Sequence, residues 1–177
     1  MALRPVLFAA LLLLPLPSLA AKPGGGQPAK AGQILDLDWR QLLPEKERWH
    51  FTAVAPPPIH DYRGEGSPPA VQAPDFNVNA SLDGASVRLP GFIVPLNAIK
   101  NGSANVFLLV PYFGACIHVP PPPPNQIVYV ITNRKTAIDS IYEAYWITGK
   151  LRVQTRQTRL GSTAYELTAE KVEVYKY

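Results

Sequence analysis

The sequence has very little sulfur. Among 177 residues there is one cysteine, Cys116, and one methionine, Met1. A single cysteine excludes an intramolecular disulfide, so Cys116 is expected to be buried, metal-bound, reactive or paired with another molecule. Because no methionine follows Met1, a methionine-lined copper site is excluded.

Charge and long apolar runs are also scarce. Charged residues make up 17% of the chain, and the formal net charge of +4 is too weak and too dispersed to indicate nucleic-acid binding. The apolar run from Val6 to Leu19 is too short and too broken by proline to span a membrane. It is followed by a small-x-small pattern at Ser18-Leu19-Ala20, so residues 1–20 are predicted to be a secretory signal peptide. We therefore expect an exported protein, cleaved near Ala20 and not membrane-spanning.

Proline, by contrast, is abundant, with 20 residues. Residues 21–84 are predicted to form a flexible leader and an extended Pro/Gly-rich arm, because this composition buries little apolar surface. One short helix is predicted in this region, with Asp36 or Asp38 as its N-cap and Pro44 ending or kinking it.

Residues 85–177 are predicted to form a mainly β domain, a small barrel resembling the oligonucleotide/oligosaccharide-binding (OB) type. Apolar segments separated by turn signals favour a sandwich or barrel, and glycines within them favour bulges. A helix is predicted at Thr136 to Tyr142. Five strands are predicted at Ser86 to Leu96 (interrupted at Pro90-Gly91), Val106 to Tyr112, Gln126 to Thr132, Ala144 to Gln154 and Tyr165 to Tyr175.

Cys116 and His118 form a Cys-x-His pair. If the backbone from Phe107 to Val119 is extended, these two side chains share one face, and Ile117 points to the core. A thiolate and an imidazole on one face could bind Zn or Cu, with His50, His60 or a carboxylate completing the site. The alternatives are a buried, inert thiol and a thiol nucleophile activated by the histidine.

Five consecutive prolines, Pro120 to Pro124, follow this pair directly. They lack backbone N–H groups and favour the polyproline II conformation, so they are predicted to form a stiff strap between two strands. The strap either orients His118, binds a partner protein as a rigid ridge, or serves only as a rigid crossover.

The runs "VRLPGFIVPL", "FLLVPYFGACIHVPPPPPNQIVYV", "YWITGKL" and "YELTAEKVEVY" resemble an uncharacterised family of exported bacterial proteins, domain of unknown function 3299. The resemblance covers about residues 34–45 and 85–177. It implies a periplasmic protein associated with ABC-transporter components and metal homeostasis, without an established activity.

Two functions are therefore expected. The first is non-enzymatic binding of Zn or Cu through Cys116 and His118, with His60 as a further candidate ligand, in support of metal handling or an ABC transporter. The alternative is a metal-free OB-like module whose proline strap docks on an envelope or transporter protein, with a thiol enzyme as a third class.

Overall fold

The computed structural model describes residues 33–51, 71–97, 102–117 and 120–176. Within them the chain is mainly β, as predicted from the sequence. The described strands are β1 (Leu35–Asp36), β2 (Ser86–Pro95), β3 (Ser103–Val110), β4 (Val128–Ala137), β5 (Ala144–Thr158) and β6 (Gly161–Val174). Four short 3-10 helices accompany them, at Trp39–Leu42, Glu45–His50, Ala80–Leu82 and Pro124–Gln126.

The six strands belong to one sheet in the order β1-β2-β3-β4-β6-β5, and β5 also pairs with β2. The β1–β2 and β4–β6 pairs are parallel, and the other pairs are antiparallel. Starting from β2, the pairings therefore pass through β3, β4, β6 and β5 and return to β2.

Strand β2 runs without a break through Pro90 and Gly91, so the predicted interruption is wrong. At Pro90 the strand pairs with β5, whereas its pairing with β3 begins only at Phe92. The carbonyl of Pro90 accepts a hydrogen bond of 2.7 Å from the indole of Trp39. A proline is tolerated here because β2 has no hydrogen-bonded strand on its β3 side at this position.

The main hydrophobic core lies between the strands. Alternating residues of β2 point into it, including Val87, Leu89 and Ile93, together with buried residues of β3 to β6. Gly149 of β5 lies at a register shift against β6, where a Cβ atom would approach the Ala169 Cα to 2.8 Å. The prediction that strand glycines mark bulges is confirmed at this position.

The N-terminal helix prediction is confirmed in position, although the helix is a 3-10 turn. The Asp38 carboxylate accepts the backbone N–H of Gln41, and the Gln41 side chain accepts the N–H of Asp38, which completes a capping box. Pro44 separates this helix from the next one. Trp39 and Leu42 are buried in the same core as the strands, so this part of the predicted arm contributes to the core.

The helix predicted at Thr136 to Tyr142 is wrong. Strand β4 continues to Ala137, and residues 138–143 form bends and turns. The side-chain hydroxyl of Tyr145 donates to the Ser140 carbonyl and accepts the Ser140 N–H. These local hydrogen bonds hold the segment as a turn and replace the bonds that a helix would supply.

In the part of the chain that the structure describes, no helix has the length and apolar character needed to cross a membrane.

Candidate functional site

The backbone after β3 is not extended, so the geometric premise of the Cys-x-His prediction is wrong. Strand β3 ends at Val110, and residues 111–117 form bends and turns around Gly114, whose φ is 84°, with an isolated β-bridge at Ala115. The Ile117 N–H donates to the Gly114 carbonyl at 3.2 Å. Cys116 itself has a φ of 65°, which is uncommon for a residue with a side chain.

Cys116 is half-buried at the edge of a second apolar cluster. It packs there with Tyr112 against the buried residues Val94, Leu108, Val110, Ala115 and Ile127. Burial raises the pKa of the Cys116 thiol to about 12. At neutral pH the thiol is therefore protonated, which disfavours the nucleophile alternative and leaves a proton that any metal would have to displace.

The other predicted ligands do not complete a metal site among the described residues. His118, His60 and the side chain of His50 lie outside them. Within the described ranges, no group of three or more His, Cys, Asp and Glu residues could hold a metal ion. Ile117, which was predicted to point into the core, is 53% exposed, so that prediction is wrong. The Cys116–His118 pair stays a prediction.

The proline strap connects β3 with β4, as predicted, and none of its residues forms a strand. Residues 120–123 have no regular secondary structure, and Pro123 has φ −55° and ψ 152°, which are polyproline II values. The strap ends where Pro124 begins a 3-10 helix whose three residues are all buried. Pro122 is also buried, so the strap lies against the body of the protein.

A second segment, residues 71–79, lies along the strap and holds it in place. The side-chain amide of Gln72 donates to the carbonyls of Pro122 and Ser162, both at 2.8 Å, and its oxygen accepts the Ser162 N–H. Further along, the Asp75 carbonyl accepts the Asn125 N–H at 3.2 Å. These bonds tie the strap to the start of β6.

Tyr165 fixes the other end of this segment. Its buried hydroxyl donates to the Leu42 carbonyl at 2.6 Å and accepts the Asn79 N–H at 2.8 Å. Burial raises the pKa of Tyr165 to about 12, against smaller opposing effects from the Asn79 hydrogen bond and the Arg48 charge. The neutral phenol therefore connects the first 3-10 helix, residues 71–79 and β6.

Between the strap and the N-terminal 3-10 helices lies a groove of about 600 Å³, which we call the strap groove. Its walls are mainly apolar. The described lining residues are Leu43, Glu47, Phe51, Asp75, Asn77, Pro111, Tyr112, Pro120, Pro121, Pro122, Pro123, Asn125 and Gln126. Tyr112 joins the groove to the Cys116 turn, and its own pKa is raised by burial and by the neighbouring thiol.

One part of the strap groove is polar, and Asn77 organises it. The Asn77 backbone N–H donates to the Asp75 carboxylate at 2.9 Å, and its side-chain amide donates to the Glu47 carboxylate at 3.4 Å. The backbone carbonyl of Asn77 accepts a hydrogen bond of 2.9 Å from the side-chain amide of Asn125. Two carboxylates and a buried amide therefore meet around one asparagine.

Asn125 and Gln126 each have a side-chain oxygen without a partner. The Gln126 amide nitrogen donates to the carbonyls of Trp39, at 3.3 Å, and of Asn125, at 3.0 Å. Asn125 and Gln126 are only 1% and 4% exposed, and their oxygens accept no hydrogen bond from the described residues. Buried acceptors without partners are rare in folded proteins, and these two have almost no accessible surface.

Sequence reasoning selected the prolines of this site and missed its polar side chains. Asn125-Gln126 stands between the prolines and an apolar strand, and a buried polar pair at that place is a local signal. Glu47, Asp75 and Asn77 carry no such signal, because their approach to the strap depends on contacts between distant parts of the chain.

The class defined by these features is a small β protein that carries a groove along a proline strap. The family model described as Protein of unknown function (DUF3299) matches residues 39–174, and the chain belongs to this family. The resemblance in its sequence motifs is thereby confirmed.

A solved structure of a DUF3299 family protein from Pseudomonas aeruginosa is similar to this chain. The two are 42% identical, with a TM-score of 0.67, and the match covers 82% of this chain and 99% of that chain. No curated protein matches the chain.

Proposed function

We propose that the protein is a non-enzymatic binding module of OB type. It docks on a partner protein in the periplasm by holding a short polypeptide segment of that partner in the strap groove. The partner class follows the sequence resemblance and is an envelope or transporter protein. The observation that carries the proposal is the preformed, mainly apolar groove that lies along the rigid proline strap.

The OB assignment is supported by the strand pairings. Five strands, β2 to β6, form a cycle in which β2 pairs with both β3 and β5. The parallel β4–β6 pair introduces the crossing connection of a Greek key. A five-stranded Greek-key barrel of this kind uses one face and its adjoining loops to bind extended ligands.

The strap supports binding by being rigid before the partner arrives. Proline fixes φ, and Gln72 holds Pro122 against β6, so little backbone freedom remains to be lost on docking. The wall formed by the prolines, Tyr112 and Phe51 offers apolar surface, and the prolines add no backbone donors to it. A partner segment therefore gains affinity by burying apolar side chains against this wall.

A selection from random short peptides tests the proposal. Peptides displayed on phage are selected on the processed protein, and synthetic copies of the enriched ones are titrated by calorimetry. Truncating Tyr112 removes part of the groove wall, so Tyr112→Ala is expected to weaken binding by more than about tenfold. Circular dichroism of each variant verifies the fold.

Tyr142→Ala is the matched control, since Tyr142 is an exposed tyrosine whose ring contacts Phe113 and which does not line the groove. Its affinity for the peptides should equal that of the unmodified protein. The proposal is refuted by a selection that enriches no peptide over the bare support, or by peptides that bind both folded variants equally well.

A further inference from the structure

The side-chain amide of Gln72 bonds to the start of β6 in the way that a neighbouring strand would. Its oxygen accepts the Ser162 N–H and its nitrogen donates to the Ser162 carbonyl, both at 2.8 Å. A hydrogen-bonded residue of an antiparallel strand exchanges the same two bonds through its backbone. Among the described pairings, β4 meets β6 only from Tyr165 onward. A primary amide therefore replaces a peptide group at this part of the sheet.

The composition of the strap explains why a side chain is needed there. Prolines have no backbone N–H, so the strap that precedes β4 cannot extend the β4–β6 ladder back to Ser162. The Gln72 nitrogen also donates to the Pro122 carbonyl at 2.8 Å. A primary amide has two N–H groups and one acceptor oxygen, so Gln72 can serve both neighbours at once. It bridges the strap and β6 where the prolines themselves have no donor to offer.

The backbone beside this bridge leaves room for the amide and little more. Gly161 precedes Ser162 and has a φ of 137°, a value that side chains disfavour. A Cβ atom at this position would lie 3.0 Å from the Gln72 side-chain oxygen, which is closer than ordinary van der Waals contact. The Gln72 amide therefore fits closely against the hairpin that joins β5 and β6.

The segment that carries Gln72 is otherwise weakly packed. None of residues 71–79 is fully buried, and Val71 is 87% exposed. Ala73 and Pro74 are exposed as well, so Gln72 is the residue that attaches this end of the segment to the barrel. Segments with few buried apolar contacts open locally at a small cost in free energy. Residues 71–79 therefore have an attached form and a released form, and the Gln72 bridge favours the attached one.

We propose that Gln72 is a positioning residue that regulates the strap groove by attaching residues 71–79. This inference rests on the proposed function and names its regulation. Asp75 and Asn77 of the same segment line the groove, and the Asp75 carbonyl accepts the Asn125 N–H at the end of the strap. Release of the segment therefore removes part of the groove wall and leaves Pro122 without its donor.

The coupling between attachment and docking acts in both directions. If only the attached form binds a peptide, the measured dissociation constant is the intrinsic constant divided by the attached fraction. By linkage, a docked peptide raises the attached fraction in return. Gln72 and Ser162 are not among the lining residues, so a response of the Ser162 N–H to a peptide reports this coupling and not direct contact.

Hydrogen exchange of the Ser162 N–H, followed by NMR on the processed protein, tests the attachment without a peptide. Gln72→Ala is expected to speed this exchange about tenfold, while the N–H of buried Leu167 in the same strand keeps its rate. Acetamide supplies the atoms that the variant lacks and should slow the exchange again. N,N-dimethylacetamide, which has no N–H, should not. Unchanged exchange in the variant, or equal effects of the two amides, overturns the inference.

The peptides enriched on phage test the effect on the groove. Gln72→Ala is expected to raise their dissociation constant about fivefold. Gln72→Glu keeps the length and the acceptor oxygen but lacks both N–H donors, so it should weaken binding at least as much. Gln154→Ala replaces an exposed glutamine outside the groove and is the matched control. If both Gln72 variants bind like the control, the inference is wrong.

Failure of the inference is distinguishable from failure of the proposed function. A saturating peptide is expected to slow exchange of the Ser162 N–H in the unmodified protein. If peptides bind but leave this exchange unchanged, docking holds and the regulation by Gln72 fails. If no peptide is enriched while Gln72→Ala and acetamide change the exchange as expected, the docking proposal is wrong and the attachment of residues 71–79 by Gln72 holds.

Discussion

The reactivity of Cys116 gives the sharpest test of its environment. Burial raises the pKa of its thiol to about 12, compared with an ordinary value of 9.0. The thiolate is the species that reacts with an alkylating reagent. A difference of about three pKa units means that at pH 7 the folded protein holds roughly 1000-fold less thiolate than an exposed cysteine does.

Iodoacetamide labelling, measured by mass spectrometry at a series of pH values, reports this difference directly. In the folded protein we expect a rate about 1000-fold below that of the same chain in urea at pH 7. The native rate should continue to rise through pH 10, because the thiol is still mostly protonated there. In urea the rate should level off above pH 9, the ordinary thiol value. Cys116→Ser provides the unlabelled reference.

Rapid labelling of the native protein at pH 7, with a rate that levels off between pH 8 and 9, would refute the reasoning. It would show that the thiol is in contact with solvent or is activated by a neighbouring positive charge. The same result would restore the nucleophile alternative. It would also strengthen the metal prediction, since a thiolate would then be present without displacement of a tightly held proton.

Three further predictions concern the metal, the core and the segment that holds the strap. Zinc titration followed by calorimetry should show stoichiometric binding that is lost in both Cys116→Ser and His118→Ala if the predicted pair is a metal site; binding unchanged in both variants contradicts it. Tyr165→Phe should lower the free energy of unfolding by about 1 kcal/mol in urea denaturation, because Leu42 and Asn79 each lose one partner but keep the hydrogen bond between them. Burial raises the folded pKa of Tyr165 above its unfolded value of 10.0, so the stability is unaffected by this group below pH 10 and falls by up to about 3 kcal/mol as the pH rises towards 12; the variant should lack that loss. Gly149→Ala should cost more than about 3 kcal/mol because its Cβ would enter the β6 backbone, whereas Gly84→Ala, with a φ of 76° and no atom within 4 Å, should cost about 1 kcal/mol; equal losses would contradict the packing argument.

The strands could be predicted because their signals are local. Apolar residues recur or alternate over segments such as Val106 to Tyr112, and each of the five predicted segments overlaps an observed strand. The capping box at Asp38 was predictable for the same reason, since its two partners are three residues apart. Burial of one face and local hydrogen bonding are both encoded in neighbouring residues.

The errors occurred where a local pattern competed with a contact formed elsewhere. The apolar residues after Val110 continue the pattern of β3, but Gly114 permits a left-handed turn that places Cys116 against the second apolar cluster. At Thr136, a residue that often caps a helix instead pairs with Ala104 across β3 and β4. In both places contacts with distant parts of the chain determined the outcome, since tertiary contacts override weak local preferences.

The polar part of the strap groove was beyond sequence reasoning for a different reason. Gln72 and Pro122 are 50 residues apart, and Asn77 and Asn125 are 48 apart, so no periodic pattern connects them. Prolines supply carbonyl acceptors but no N–H donors, so a strap of prolines cannot pair as a strand and must be held by donors from another segment. The Gln72 side chain supplies such a donor to the Pro122 carbonyl. The same side chain also donates to the Ser162 carbonyl, so the strap is held against the start of β6 by a residue that lies 50 positions away in the sequence, and no local pattern predicts that contact.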